Sequence, residues 1–85
     1  MSVIQERMPP GAFEQIHFHE KSRQFFYILK GTATFFVGSE KIILKPQEGI
    51  EIEPGALHQV RNDDKEDLEF ILFSSPSTHN DRVNT

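Results

Sequence analysis

The chain has 85 residues, 36% of them apolar, no cysteine, and a formal net charge of −4. That length allows one domain, whose fold hides only roughly 60–65% of the unfolded surface. The missing cysteines exclude a disulfide staple, and nine scattered Lys and Arg in an acidic chain exclude the basic patch of a nucleic-acid or anionic-membrane binder.

Oligomerisation or a bound metal are the remaining supports for so small a core, and a homodimer is expected. The longest unbroken apolar run, Phe25 to Leu29, is five residues, far short of the ~20 needed to span a bilayer. The opening Met-Ser-Val-Ile-Gln-Glu-Arg has no basic segment followed by an apolar run, so no secretory leader is expected and the cytoplasm is the expected location.

In chain order, Val3–Met8 reads as a first strand, ended by Pro9-Pro10-Gly11 because proline lacks the N–H that a ladder needs. Phe13–His19 alternates, with Phe13, Gln15, His17 and His19 on one face and Glu14, Ile16 and Phe18 on the other. Glu20–Arg23 is a polar turn. Gln24–Leu29 is apolar on both faces, which predicts burial on both. Gln24, Phe26 and Ile28 share one of these faces, and Tyr27 falls on the other. Gly31 permits a bend, and Thr32–Val37 is rich in β-formers. Gly38-Ser39 is a two-residue hairpin loop leading into Lys41–Leu44. Ile50–Glu53 is a short strand, Pro54-Gly55 a turn, and Leu57–Arg61 a strand carrying His58. Asn62 to Asp67 is a solvated acidic loop before the last apolar strand, Leu68–Phe73. Residues 74–85 are polar without periodicity and are expected as a tail, one route to order being docking on a partner subunit. No segment of eleven or more residues has helical spacing. Many short strands separated by turns define an all-β fold, a sandwich or barrel of antiparallel strands over about residues 3–73.

The chemistry-bearing residues are histidines. His17 and His19, two apart on a strand, point to one side. Gln24 opens the next strand and His58 follows a turn. A lone strand histidine is more often structural than a ligand, and His79 is read as a tail residue. Three imidazoles brought to one face make a metal site. Glu51 and Glu53 are read as a solvated face rather than a paired-carboxylate site, and Arg61 and Arg82 as surface or interface residues rather than contacts to an anionic ligand. Phe26, Ile28, Phe35, Val37 and Val60 are read as core. No clear general base stands beside the histidines.

The two histidine stretches resemble the motifs of the cupin family, small jelly-roll β-barrels. The first motif runs Gly, five residues, His-x-His, three or four residues, Glu, six residues, Gly. Here it is Gly11, five residues, His17-Phe-His19, four residues, Gln24 in place of Glu, six residues, Gly31. The second motif ends Pro-x-Gly-x-x-His-x-x-x-Asn, matched by Gly55, His58 and Asn62, with Glu53 at the proline position. The Gly-Asp that opens it falls on Gln47-Glu48. The segment from Gln24 and the ending around Asp81-Arg82 are similar to a subgroup of small stand-alone cupins that carry Gln at this position.

The resemblance implies that His17, His19, Gln24 and His58 hold one divalent transition metal (Zn, Fe, Mn or Ni). Gln24 is either a direct ligand or a hydrogen-bond partner of a metal-bound water or of His19. An amide in place of a carboxylate leaves the metal one charge more positive and more attractive to anions. Two functions fit. One is a metal-dependent enzyme, an oxygenase, isomerase or decarboxylase acting on a small polar or aromatic molecule. The other is a non-catalytic module binding a sugar-like or carboxylate ligand.

Overall fold

The computed structural model describes residues 1–77 and 81–85; His79 lies outside the described residues. Among the described residues nine strands run β1 (Ser2–Met8), β2 (His17–His19), β3 (Arg23–Lys30), β4 (Ala33–Val37), β5 (Glu40–Leu44), β6 (Gly49–Ile52), β7 (His58–Arg61), β8 (Leu68–Ser75) and β9 (Arg82–Asn84). They form two antiparallel sheets, ordered β1-β8-β3-β6 and β5-β4-β7-β2-β9. The all-β class is borne out. Among the described residues no helix is long and apolar enough to cross a membrane.

The core lies between the sheets, and alternation builds it. On β3 the even-numbered Gln24, Phe26 and Ile28 turn inward. Cross-strand register carries Ile52 and Ser74 beside Gln24, and Leu72 and Ile50 beside Phe26. The facing sheet contributes Ala33, Phe35 and Val60. Of the five expected core residues, Phe26, Ile28, Phe35 and Val60 are buried, and Val37 packs against them half-buried.

Three expectations are corrected. First, β3 is buried on one face only: Phe25 is 41% exposed, Leu29 is exposed, and Tyr27 is half-buried. Second, Phe13–His19 is not one strand. Phe13 makes an isolated bridge to Arg61, Glu14–Ile16 are irregular, and pairing resumes at His17. Third, the polar tail is partly sheet. Ser74 and Ser75 extend β8, and β9 pairs with β2 through His17↔Asn84, Phe18↔Val83 and His19↔Arg82. Three residues are too few for alternation to register, and the backbone ladder rather than apolar burial holds them.

Polar ties fix the loops around this frame. The side-chain amide of buried Asn62 donates to the carbonyls of Met8 (2.9 Å) and Glu66 (2.8 Å), and its oxygen accepts from the Asp64 amide at 3.1 Å. One residue thus closes the acidic loop and holds the end of β1. Asn62→Ala strands those backbone groups in the interior, so a loss of about 2–4 kcal/mol is expected in urea unfolding. Gln47, at the glycine position of the second motif, has φ 70°, and its N–H donates to the Ile28 carbonyl at 2.8 Å. The turn thus keeps its left-handed residue although the side chain there is not glycine. Glu48 stands in for the motif aspartate by accepting the Lys45 amide at 2.7 Å.

Candidate metal centre

Register assembles the histidines. His17 on β2 pairs directly with His58 on β7, so their side chains share a face, and His19 joins them two residues on. The turn at Pro54-Gly55 locks the second stretch onto the first, the Gly55 amide donating to the His19 carbonyl at 2.7 Å. His17, His19 and His58 are 2%, 5% and 1% exposed. Their ring centroids lie 4.3 Å (His17–His58), 5.0 Å (His17–His19) and 5.7 Å (His19–His58) apart. One nitrogen from each ring falls within 4.8 Å of the others.

The opposite nitrogens are tied to backbone. His17 Nδ1 donates to the Gln15 carbonyl at 2.7 Å and His58 Nδ1 to the Ala56 carbonyl at 2.9 Å. Donation at Nδ1 leaves Nε2 as the lone-pair nitrogen in both rings. His58 Nε2 and His19 Nδ1 are buried without a partner, while the His19 ring donates a hydrogen bond to the Asp81 backbone carbonyl. Burial lowers the pKa of all three, and neighbouring positive groups add to it: Arg82 and His19 for His17, His58 and Arg82 for His19, His17 and Arg82 for His58. Neutral rings with orphaned inward nitrogens are the donor set a cation takes up.

Gln24 faces them from the other sheet. Its Nε2 reaches Ser74 Oγ only at 3.4 Å, and its Oε1 is buried and unpartnered. A cavity of about 160 Å³ is lined by His17, His19 and Gln24, by Phe26 and Leu72 below, and by Ile4, Glu6, Glu14 and Arg82 around them.

Glu14 and Arg82 are among the lining residues that were not assigned to the site from the sequence. Alternation placed Glu14 on the far face, but the irregular backbone before His17 turns it inward. Its Oε1 is buried without a partner. Burial pushes its carboxyl up to about 7; Arg82 and a Val60 backbone hydrogen bond lower it and Glu6 raises it. A signal was present: Phe13 and Ile16, both apolar, fall on opposite faces of a regular strand, and both are exposed. Arg82 is exposed, in keeping with its surface reading, and its pairing with His19 also sets it at the edge of the cavity. Glu51 is on the solvated face as expected, ion-paired with Arg23, and Arg61 is a surface residue bonded to Asp63 at 3.1 Å.

A two-sheet antiparallel barrel with three buried histidines converging across β2 and β7 defines a small β-barrel protein with a buried histidine centre. The cupin domain matches residues 4–74, and the chain belongs to the cupin family. It is 29% identical to a Thermotoga maritima protein named oxalate-binding protein, over 76% of this chain and 54% of that one. It is 28% identical to an uncharacterised protein of Methanocaldococcus jannaschii, over 88% and 60%. The chain thus spans little more than half the length of these curated relatives. Among solved structures, a predicted oxalate decarboxylase from Thermotoga maritima superposes with TM-score 0.81 at 26% identity, over 85% of this chain and 63% of that one. A Klebsiella pneumoniae protein with a double-stranded β-helix domain gives TM-score 0.87 at 19% identity, over 98% and 72%, and shows the shared fold.

Proposed function

We propose that the chain holds one divalent transition metal on His17, His19 and His58, with Gln24 adding a neutral oxygen, and acts as a metal-dependent enzyme on a small polar molecule. The observation that carries the metal is the convergence of three neutral imidazoles whose other ring nitrogens are held by backbone groups. A bound metal supplies a Lewis acid that polarises a ligand oxygen. Zn, Fe, Mn and Ni all suit this donor set. The enzyme reading, in the oxygenase, isomerase or decarboxylase class, draws on Glu14: a buried carboxyl with a pKa of about 7 stands in the same cavity and is suited to moving a proton. A non-catalytic module for a carboxylate is the second reading, favoured by the name of the oxalate-binding relative.

Metal-free protein incubated with each metal, desalted and analysed by elemental mass spectrometry should carry one ion per chain. Protein that retains none of the four sinks the proposal. For the loaded protein, product formation from a panel of small acids supports the enzyme. A raised melting temperature without product supports the binding module.

We also propose that the protein is a homodimer. The outer face of the β1-β8-β3-β6 sheet carries Val3, Phe25 and Leu29 exposed, with Phe73 and Tyr27 half-buried. A second copy packed there would bury β3 on both faces, as its sequence pattern asks. Sedimentation at micromolar concentration should give twice the 9.8 kDa chain mass, and Phe25→Glu should return the single chain. A 9.8 kDa species for the unsubstituted protein removes the dimer.

A further inference from the structure

We propose that Arg82, carried to the cavity by the C-terminal strand, makes the metal site selective for small carboxylates. The inference rests on the metal-binding reading above and adds the residue that selects a carboxylate and the size of ligand admitted.

Register is the first argument. Arg82 pairs directly with His19, and Asn84 with His17, so both lie on the face of the sheet that bears the histidines. Arg82 Nε donates to Asn84 Oδ1 at 2.9 Å. That bond fixes the guanidinium plane and leaves the two Nη groups as the paired N–H donors that match a carboxylate.

The second argument is that the strand is fastened independently of any ligand. The Asp81 carboxylate accepts the amide of Ser22 at 2.8 Å, of Lys21 at 3.1 and 3.3 Å, and of Glu20 at 3.1 Å. Three successive amides converging on one carboxylate form an anion nest. At the far end Thr85 N donates to the Ile16 carbonyl and Gln15 Nε2 to the Thr85 carbonyl, each at 3.2 Å. A cation held in place beforehand loses less freedom when it binds an anion.

Charge and volume complete the case. Glu6 and Glu14 line the same cavity and repel an anion; Arg82 is the cation among the lining residues. With the metal, it tips the balance toward negative ligands. The cavity measures about 160 Å³, and a hollow of about 150 Å³ accommodates one benzene, roughly six non-hydrogen atoms. The ligand this volume admits is a carboxylate with one short substituent, which the Arg82 guanidinium would hold beside a metal bound by the histidines.

Calorimetric titration of the Zn-loaded protein with lactate and with lactamide tests this, since the two share a shape and differ in charge. The unsubstituted protein should prefer lactate by about tenfold or more. Arg82→Gln should lose that preference by weakening lactate about tenfold while leaving lactamide unchanged. Arg82→Lys, which keeps the charge but not the fork, should fall between. Zn affinity should hold or rise slightly in both variants, because a neighbouring positive charge is removed or retained. An Arg82→Gln protein that binds Zn and still prefers lactate as strongly overturns the inference and leaves the metal reading standing. Zn-loaded protein that does not bind lactate overturns it too. An unsubstituted protein that cannot take up Zn fails at the earlier step, and both readings fall with it.

Discussion

Replacing any one of His17, His19 and His58 with alanine is expected to lower metal affinity by at least about a hundredfold, while Gln24→Ala weakens it by about tenfold or less. The asymmetry follows from donor strength. Each imidazole presents a neutral nitrogen whose partner nitrogen is already bound to backbone, so the ring is oriented and the correct tautomer selected before a cation arrives. An amide oxygen is a weaker donor and carries no charge. Gln24 Oε1 nevertheless lies buried and unpartnered opposite the trio, so Gln24→Glu, which restores a charged oxygen, should tighten binding. Competition against a chromogenic chelator would measure the five variants beside the unsubstituted protein. Wild-type affinity in any one histidine variant breaks the three-ligand assignment. Unchanged or weaker affinity in Gln24→Glu removes residue 24 from the coordination sphere.

The barrel was largely legible in the sequence because its strands alternate. Gln24, Phe26 and Ile28 read inward, and Gly38-Ser39 reads as the tight hairpin that joins Val37 to Glu40. The histidine trio was legible from spacing, since residues two apart on a strand share a face and the second motif returns His58 to the same barrel. What alternation could not show was where it stops. Glu14 was assigned to the wrong face because the rule presumes an unbroken strand, and the chain before His17 is irregular. The placement of Arg82 beside His19 was not legible for a related reason: β9 has no apolar residue pattern, and its place is set by backbone pairing and by the Asp81 clasp rather than by burial. Both residues bring charge to a cavity whose walls the sequence had shown only as histidine, glutamine and core. The expected burial of both β3 faces was wrong for the single chain, because an apolar run does not show what covers it, and Phe25 and Leu29 stay exposed.

The pH dependence of the metal-free protein should expose Glu14. Its carboxyl titrates near 4.5 when unfolded and about 7 when folded, so between these values the unfolded chain releases a proton that the folded one keeps. Stability therefore falls as pH rises from 4.5 to 7 and stays lowered above it, by about 3 kcal/mol at most. The histidines act in the opposite sense. Their folded pKa values lie below 6.5, so as pH drops through 6.5 the unfolded chain gains protons first and the fold weakens. Below pH 6.5 the two effects oppose one another, and only the Glu14 contribution continues to change the stability as pH rises above 6.5 toward 7. Glu14→Gln keeps the shape of the side chain and removes its proton. Urea unfolding at pH 8 should then show the variant more stable by about 1–3 kcal/mol, with the gap closing as pH approaches 5. Parallel pH profiles for the two proteins would mean that Glu14 titrates as an ordinary surface carboxylate. The acid–base role beside the histidines would then have no residue to perform it.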